Sequence, residues 1–138
     1  MLRKILFVLV AALTLSVGMR AEESVTLEQV AKQLNSECPV KGEDFTLDNV
    51  WLIGNRLEYH MSMSYPRSQN LAIEKKMKQI RLELLSDFAK DPDMRVLLQM
   101  IADECCNFDL WIHSTEDKLF CYFSILYTTQ EIKNALRR

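Results

Sequence analysis

Cysteine has the greatest potential for chemistry in this chain, which contains four: Cys38, Cys105, Cys106 and Cys121. An even number of cysteines is typical of exported proteins with disulfide bonds. Adjacent cysteines rarely bond to each other, because the geometry strains the peptide between them. The sequence therefore predicts one or two disulfides, with Cys38 bonded to Cys105 or Cys106 and Cys121 bonded to the other. The alternative is a set of free buried thiols, and helical phase places Cys105 on the buried side of a helix.

A reactive thiol is the second hypothesis for these cysteines. A nucleophilic cysteine needs a lowered pKa, usually from a nearby histidine or a helix N-terminus. Cys105 and Cys106 instead follow a predicted helix, at the end where the dipole disfavours a thiolate. His60 and His113 fall on the polar side of their predicted strands, and the chain contains no Cys-x-x-Cys motif. A thiol-dependent enzyme or redox protein is therefore the alternative, and a noncatalytic protein is favoured.

No other pattern in the chain predicts catalysis or cofactor binding. Zinc sites usually place their ligands in pairs two to four residues apart, and only the adjacent cysteines are close together here. With three glycines in total, the sequence has no glycine-rich phosphate loop. The acidic residues are scattered, and nothing selects a catalytic pair. We expect no catalytic residue, no cofactor and no metal site.

Trp111 is the strongest candidate for contact with a partner. It shares a face with Asp109 and His113 in a predicted strand whose other face is apolar. An aromatic side chain on a polar sheet face often anchors a partner. These three residues form the candidate partner-binding site, unless a terminal helix covers Trp111. Trp51 follows the apolar alternation of its own strand, so we expect it in the core.

The N-terminus has the layout of a secretory signal peptide. Arg3 and Lys4 precede an apolar run at 5–17, and small residues including Ala21 follow. As a helix, this run would span roughly 20 Å, at about 1.5 Å per residue. A bilayer core is about 30 Å thick, so cleavage is favoured over anchoring.

The predicted organisation is a signal peptide at 1–21 and a single domain at 22–138. Removing the signal leaves 14 Lys and Arg against 19 Asp and Glu, a net charge of −5. A mildly acidic domain without a basic stripe excludes nucleic acid as a partner. We expect a periplasmic or secreted protein with no integral membrane segment after signal cleavage.

Hydrophobic periodicity predicts the order helix, hairpin, two helices, hairpin, helix. Thr26 is expected to cap the first helix, which ends before Cys38-Pro39. A helix at about 70–89 is followed by a second one that starts at Asp91-Pro92. The simplest architecture is an α+β fold with a four-stranded antiparallel sheet, formed by two β-hairpins, and helices packed on one face.

This chain resembles a family of small exported bacterial α+β proteins. The residues that carry the resemblance are Leu34-Asn35, Cys38-Pro39, Leu47, Val50, Asn55, Leu57 and Tyr59, and a hairpin at 108–126 that runs into Thr129-Gln130-Glu131-Ile132. The resemblance implies the fold and an exported location, and it implies no activity. We therefore expect a noncatalytic binding or envelope-associated protein whose partner is a protein or another component of the cell envelope.

Overall fold

The computed structural model describes residues 25–138, and the predicted signal peptide at 1–21 lies outside them. Five α-helices, five β-strands and one 3₁₀ turn make up the described chain. In order they are α1 (Leu27–Glu37), β1 (Val40–Lys41), β2 (Phe45–Ile53), β3 (Arg56–Met63), the 3₁₀ turn (Arg67–Gln69), α2 (Asn70–Gln79), α3 (Arg81–Lys90), α4 (Pro92–Asp103), β4 (Asn107–Ser114), β5 (Tyr122–Tyr127) and α5 (Thr129–Leu136).

Helix α1 begins and ends where the sequence predicts. The Thr26 hydroxyl accepts a hydrogen bond from the Gln29 amide at 3.2 Å, and the Gln29 side chain accepts one from the Thr26 amide at 2.9 Å. This reciprocal pair is a capping box. The helix stops at Cys38, which is extended because Pro39 follows it.

The predicted helix at about 70–89 is two helices. Ile80, between α2 and α3, has φ −104° and ψ 11°, so the regular helical geometry is interrupted there. The next helix follows prediction, since the Asp91 carboxylate accepts hydrogen bonds from the amides of Asp93 and Met94, both at 3.0 Å. Pro92 occupies the first helical position, where no amide proton is required.

The sheet has five strands in the order β1-β2-β3-β4-β5 and is mixed. The two predicted hairpins, β2–β3 and β4–β5, are present and antiparallel. Between them β3 and β4 run parallel, with Leu57 opposite Phe108 and Met61 opposite Ile112. The expectation of four antiparallel strands is therefore wrong in two respects. Three helices connect β3 to β4 and return the chain to the same end of the sheet, and the short β1 adds a strand beside β2.

One face of the sheet and the helices enclose a single apolar core. Alternate residues along β3, β4 and β5 are buried on that face, including Tyr59, Leu110 and Ile125. Helix residues such as Leu34 and Phe88 belong to the same buried cluster. The opposite face of the sheet carries the polar residues of the same strands.

Strand β2 contains a β-bulge at Asp48 that reverses its alternation. Before the bulge Leu47 pairs with Met61 and is buried, and after it Val50 pairs with Tyr59 and is also buried. The extra residue moves every later side chain to the other face. Trp51 is therefore 46% exposed, and the expectation that it lies in the core is wrong.

Helix α4 ends in a Schellman motif. The Cys105 amide donates to the Ala102 carbonyl at 3.0 Å, and the Cys106 amide donates to the Ile101 carbonyl at 2.9 Å. Cys105 has the left-handed φ of 55° that this motif requires. The turn leaves Cys105 exposed and Cys106 buried, the reverse of the order expected from helical phase.

Candidate interaction site on the open sheet face

We call the side of the sheet away from the core the open face. Its central residues are Arg56, Glu58, His60 and Ser62 of β3, and Asn107, Asp109, Trp111 and His113 of β4. The parallel register places His60 opposite Trp111 and Ser62 opposite His113. Strand β5 adds Tyr122 beside His113.

Four aromatic rings, those of His60, Trp111, His113 and Tyr122, lie against one another on this face and form the ring cluster. The His60 and Trp111 rings are stacked, with centroids 5.2 Å apart and planes 15° apart. His113 stacks on His60 at 5.4 Å, and Tyr122 lies 5.4 Å from both Trp111 and His113. Three strands thus contribute to one aromatic surface.

A chain of hydrogen bonds runs through the two histidines. His113 Nδ1 lies 3.0 Å from the Lys118 carbonyl oxygen, and His113 Nε2 lies 3.1 Å from His60 Nδ1. His60 Nε2 lies 2.9 Å from Glu58 Oε1. A carbonyl only accepts, so His113 Nδ1 carries a proton and donates it.

The contact between the two histidines also has a direction. Neutral His113 has its acceptor at Nε2, so His60 Nδ1 donates to it. His60 Nε2 then faces the Glu58 carboxylate.

His113 is held in its neutral form by its surroundings. Burial lowers the pKa of His113 below its ordinary 6.5, and the nearby His60 lowers it further, while the Lys118 carbonyl and Asp48 act in the opposite direction. Asp48 approaches from β2, where it accepts a hydrogen bond from Ser62 at 3.2 Å and lies 3.7 Å from the Lys118 ammonium.

Two carboxylates lie next to the cluster on the same face. Glu58 and Asp109 are only 5% and 4% exposed although they are on the open face. The Trp111 indole donates to Asp109 Oδ2 at 3.0 Å, and Arg56 lies 3.2 Å from Glu58 and 4.0 Å from Asp109. Burial raises the pKa of Asp109, an effect that the Trp111 hydrogen bond opposes. The other oxygen of Asp109 has no hydrogen-bond partner among residues 25–138.

Exposed apolar side chains lie at both margins of the open face. On β2, Trp51 is 46% and Ile53 is 49% exposed, and on β5, Tyr122 is 43% and Leu126 is 42% exposed. Both pairs point to the open face. The face thus combines a polar, hydrogen-bonded centre with apolar margins.

The structure brings the three sequence-predicted residues together, with Trp111 bonded to Asp109 and 6.2 Å from the His113 ring. Trp111 is half-buried. Sequence reasoning missed Glu58 and the partnership of the two histidines. The sequence shows that both histidines lie on the polar side of their strands. It does not show that β3 and β4 are parallel neighbours, which is what brings the two histidines together.

The four cysteines are all free thiols, and the predicted disulfides are absent. Cys106 precedes β4, whereas Cys121 lies opposite Ser114 at the other end of that strand. Eight strand residues separate them by roughly 26 Å, at about 3.3 Å per residue, far beyond disulfide reach.

Cys38 is also beyond disulfide reach of the Cys105–Cys106 turn. It follows the C-terminal end of α1, whereas the Glu104 carboxylate, next to Cys105, accepts a hydrogen bond from the Leu27 amide at the other end. The 11 residues of α1 separate these ends by roughly 16 Å.

Two of the thiols have surroundings that disfavour a thiolate. Burial raises the pKa of Cys38 to about 11, with Asp48 and Glu37 adding to the effect. Burial also raises the pKa of Cys106, next to Glu104. Neither environment activates a nucleophile.

A metal has no obvious set of ligands in the described part of the chain. Glu58, His60 and His113 are joined end to end rather than around a common point. Within residues 25–138, no three His, Cys, Asp or Glu side chains are grouped to hold an ion. Within the same residues, no helix has the length and apolar character needed to cross a membrane.

Comparison with known proteins shows similarity at the level of the fold. No family model and no curated protein matches the chain. A solved protein of Pseudomonas aeruginosa, provisionally assigned as secreted, matches with a TM-score of 0.58 and 18% identity, over 77% of this chain and 88% of that one.

Two pilotins of type II secretion systems also match. AspS of Vibrio cholerae has a TM-score of 0.51 and 17% identity, over 76% of this chain and 87% of that one. EpsS of Vibrio vulnificus has a TM-score of 0.52 and 13% identity, over 77% and 87%. The α+β fold is therefore shared with small bacterial proteins of export and secretion.

Proposed function

We propose that this chain is an exported, noncatalytic domain that binds a protein of the cell envelope on its open face. The observation that carries the proposal is the ring cluster, set between exposed apolar side chains on β2 and β5. The signal peptide at 1–21 would deliver the domain at 22–138 to the periplasm or the medium.

The composition of the open face is that of a binding surface. Aromatic side chains with a polar group supply large contact area and a hydrogen bond together, and they dominate the energetics of many interfaces. Trp111, on the inner strand β4, and Tyr122, on the edge strand β5, are such residues. Trp51 and Leu126 extend the contact area, and the core and helices occupy the other side of the sheet.

The structural neighbours support a protein as the partner. Two of them are pilotins of a protein secretion system, and a third is provisionally described as secreted. A partner within an envelope protein assembly would suit both the shared fold and the expected export.

A thiol-dependent enzyme or redox protein is less well supported. Such a protein needs a thiolate, and burial beside carboxylates opposes ionisation of Cys38 and Cys106. The histidines on the open face are engaged with each other and with Glu58 rather than with a cysteine.

Site-specific photo-crosslinking in the cell of origin tests the proposal. A photoreactive residue at Trp51 or Tyr122 should give one discrete protein product. The same residue at Leu82, an exposed position on α3, is the matched control and should not. After the product is identified by mass spectrometry, Trp111→Ala should weaken its binding at least about tenfold, while Leu82→Ala should leave it unchanged. If neither Trp51 nor Tyr122 gives a crosslinked product that is absent from the Leu82 control, the proposal is contradicted.

A further inference from the structure

His60 and His113 are the only histidines of the chain, and we call them the histidine pair. Within the pair, His60 Nδ1 lies 3.1 Å from His113 Nε2, the distance of a hydrogen bond that contains one proton. The contact therefore exists only while at least one of these two nitrogens has a free lone pair.

The outer nitrogens of the histidine pair are engaged as well. His60 Nε2 lies 2.9 Å from a Glu58 oxygen, and His113 Nδ1 donates to the Lys118 carbonyl at 3.0 Å. Neither ring can turn over without losing one of these contacts. When both rings are protonated, each directs an N–H group at the other, and the hydrogen bond between them is lost.

Two imidazolium rings in this arrangement also repel each other. The ring centroids are 5.4 Å apart, and the His60 side chain is only 19% exposed, so water screens the repulsion weakly. Protonation of the second ring thus replaces a hydrogen bond with a contact between like charges.

Charged and titratable groups from four strands and one turn face the histidine pair. They are Glu58 and Arg56 from β3, Asp109 from β4, Asp48 from β2, Tyr122 from β5 and Lys118 from the β4–β5 turn. Burial lowers the pKa of His113 below 6.5, and the Lys118 carbonyl opposes this effect. His60 lowers the pKa further, Asp48 raises it and the Lys118 ammonium lowers it. His113 therefore takes up its second ring proton in acid, below pH 6.5.

We propose that the histidine pair makes the open face acid-sensitive, so that protonation of both rings separates them and releases the envelope protein bound there. This inference rests on the proposed function and adds the regulation of the same site. His113 is the ring that moves, because a buried carboxylate of the sheet, Glu58, holds His60. His113 is held instead by the Lys118 carbonyl, which belongs to an exposed turn.

Movement of His113 changes the binding surface directly. Its ring lies 5.4 Å from the Tyr122 ring and 6.2 Å from the Trp111 ring, so it connects the aromatic residues of β4 and β5 with His60 on β3. Once His113 departs, the ring cluster is no longer continuous and the surface carries an additional positive charge. A partner anchored on these aromatic side chains then loses contact area at the point where binding energy is concentrated.

NMR of the wild-type protein, titrated from about pH 7.5 to about pH 4, tests the separation without any partner. Nitrogen-15 shifts report the protonation of each ring nitrogen, and nuclear Overhauser effects between carbon-bound ring protons report how close the two rings are. Those between His60 and His113 should disappear as the second ring is protonated. Those across the β3–β4 ladder, as between Met61 and Ile112, should persist. Rings that stay together when both are protonated, or a second ring that is protonated only on unfolding, would overturn the proposal.

The partner identified by crosslinking provides a second test. Its dissociation constant is measured at about pH 7 and at the pH where NMR shows both rings protonated. The wild type should bind at least about tenfold more weakly in acid, since one linked proton can change affinity by about tenfold per pH unit. In His113→Phe, which keeps a ring but cannot titrate, the two constants should differ by less than about threefold. Glu83→Gln, at an exposed position of α3, keeps the histidine pair and should retain the wild-type ratio.

The outcomes distinguish this inference from the proposed function. If the rings separate in acid but the open face gives no crosslinked product, the proposed function is contradicted and the acid response of the ring cluster stands. If a partner is found and binds equally well at both pH values, the proposed function stands and this inference fails.

Discussion

His60 Nδ1 and His113 Nε2 face each other at 3.1 Å, and only one of these two atoms can carry a proton. Because His113 already donates through Nδ1 to the Lys118 carbonyl, the shared proton resides on His60. The pair thus connects a loop carbonyl to the buried Glu58 through two imidazole rings stacked with Trp111.

We expect His113 to remain neutral, with its proton on Nδ1, to a lower pH than an ordinary histidine. The pKa of His113 is lower in the folded protein than in the unfolded chain. As the pH falls, the unfolded chain therefore takes up the second imidazole proton first. The resulting contribution to stability is complete above the unfolded value of 6.5 and is lost as the pH drops through it toward the folded pKa. Nitrogen-15 NMR of the imidazole should show the tautomer and the titration.

His113→Phe keeps a ring beside Trp111 and Tyr122 but cannot titrate. In this variant the change of unfolding free energy between about pH 7 and pH 5 should be smaller than in the wild type. An equal slope in the two proteins would show that His113 is not the responsible group.

The ion pair between Arg81 and Glu131 should support stability in acid. Both Glu131 oxygens accept from the Arg81 guanidinium at 2.7 Å, and the Glu131 side chain also accepts from the Thr128 amide. The Arg81 hydrogen bonds lower the pKa of Glu131 to about 2. Its contribution is therefore full above about pH 4.5 and disappears as the pH falls toward 2.

Glu131→Gln should lower the free energy of unfolding by about 1 kcal/mol at pH 7, and the difference from the wild type should vanish near pH 2. Thermal unfolding across this range measures both effects. Glu83→Gln, at an exposed position of α3, is the control and should change stability by less than about 0.5 kcal/mol. A difference from the wild type that persists at pH 2 would show that the ion pair is not its source.

The cysteines should all be free in the native protein, with Cys105 the most accessible. It is exposed, whereas Cys106 and Cys121 are buried and Cys38 has a raised pKa. Brief alkylation of folded protein should add one label, located at Cys105, and alkylation after unfolding without reductant should add four. A total below four in the unfolded protein would reveal a disulfide.

Cys105→Gly should stabilise the protein. Cys105 has a φ of 55° in the Schellman motif, a conformation that glycine adopts without the steric cost of a Cβ. We expect a gain of roughly 0.5–1 kcal/mol in urea unfolding. Cys105→Ala removes the same thiol but keeps the Cβ, so it should show no comparable gain. Equal stability of the two variants would rule out backbone strain at this position.

Local patterns in the sequence predicted most of the elements but less of their arrangement. The capping box at Thr26 and the Asp91-Pro92 start were predicted correctly, because each depends on residues three or fewer apart. Asp109, Trp111 and His113 alternate with apolar residues along their strand. This alternation correctly predicted that the three share the open face. The parallel pairing of β3 with β4 depends on packing across three helices, which no local pattern encodes.

Errors at single residues had equally physical causes. The bulge at Asp48 inserts one residue into β2 and turns Trp51 outward. The left-handed turn at Cys105 exchanged the expected burial of Cys105 and Cys106. The disulfide prediction failed because the cysteine count carries no information about distance.

The parallel pairing of β3 and β4 also constrains how the chain reaches this structure. Each hairpin closes over a short loop, but the sheet is completed only when β4 finds β3 across the whole helical segment. Loop-closure entropy makes such contacts slow to form. A nascent chain that ends before Asn107 would carry β3 paired with β2 on one side and unpaired on the side that β4 occupies in the complete sheet. Until β4 emerges from the ribosome, the first half of this protein therefore exposes a strand edge that a chaperone can bind.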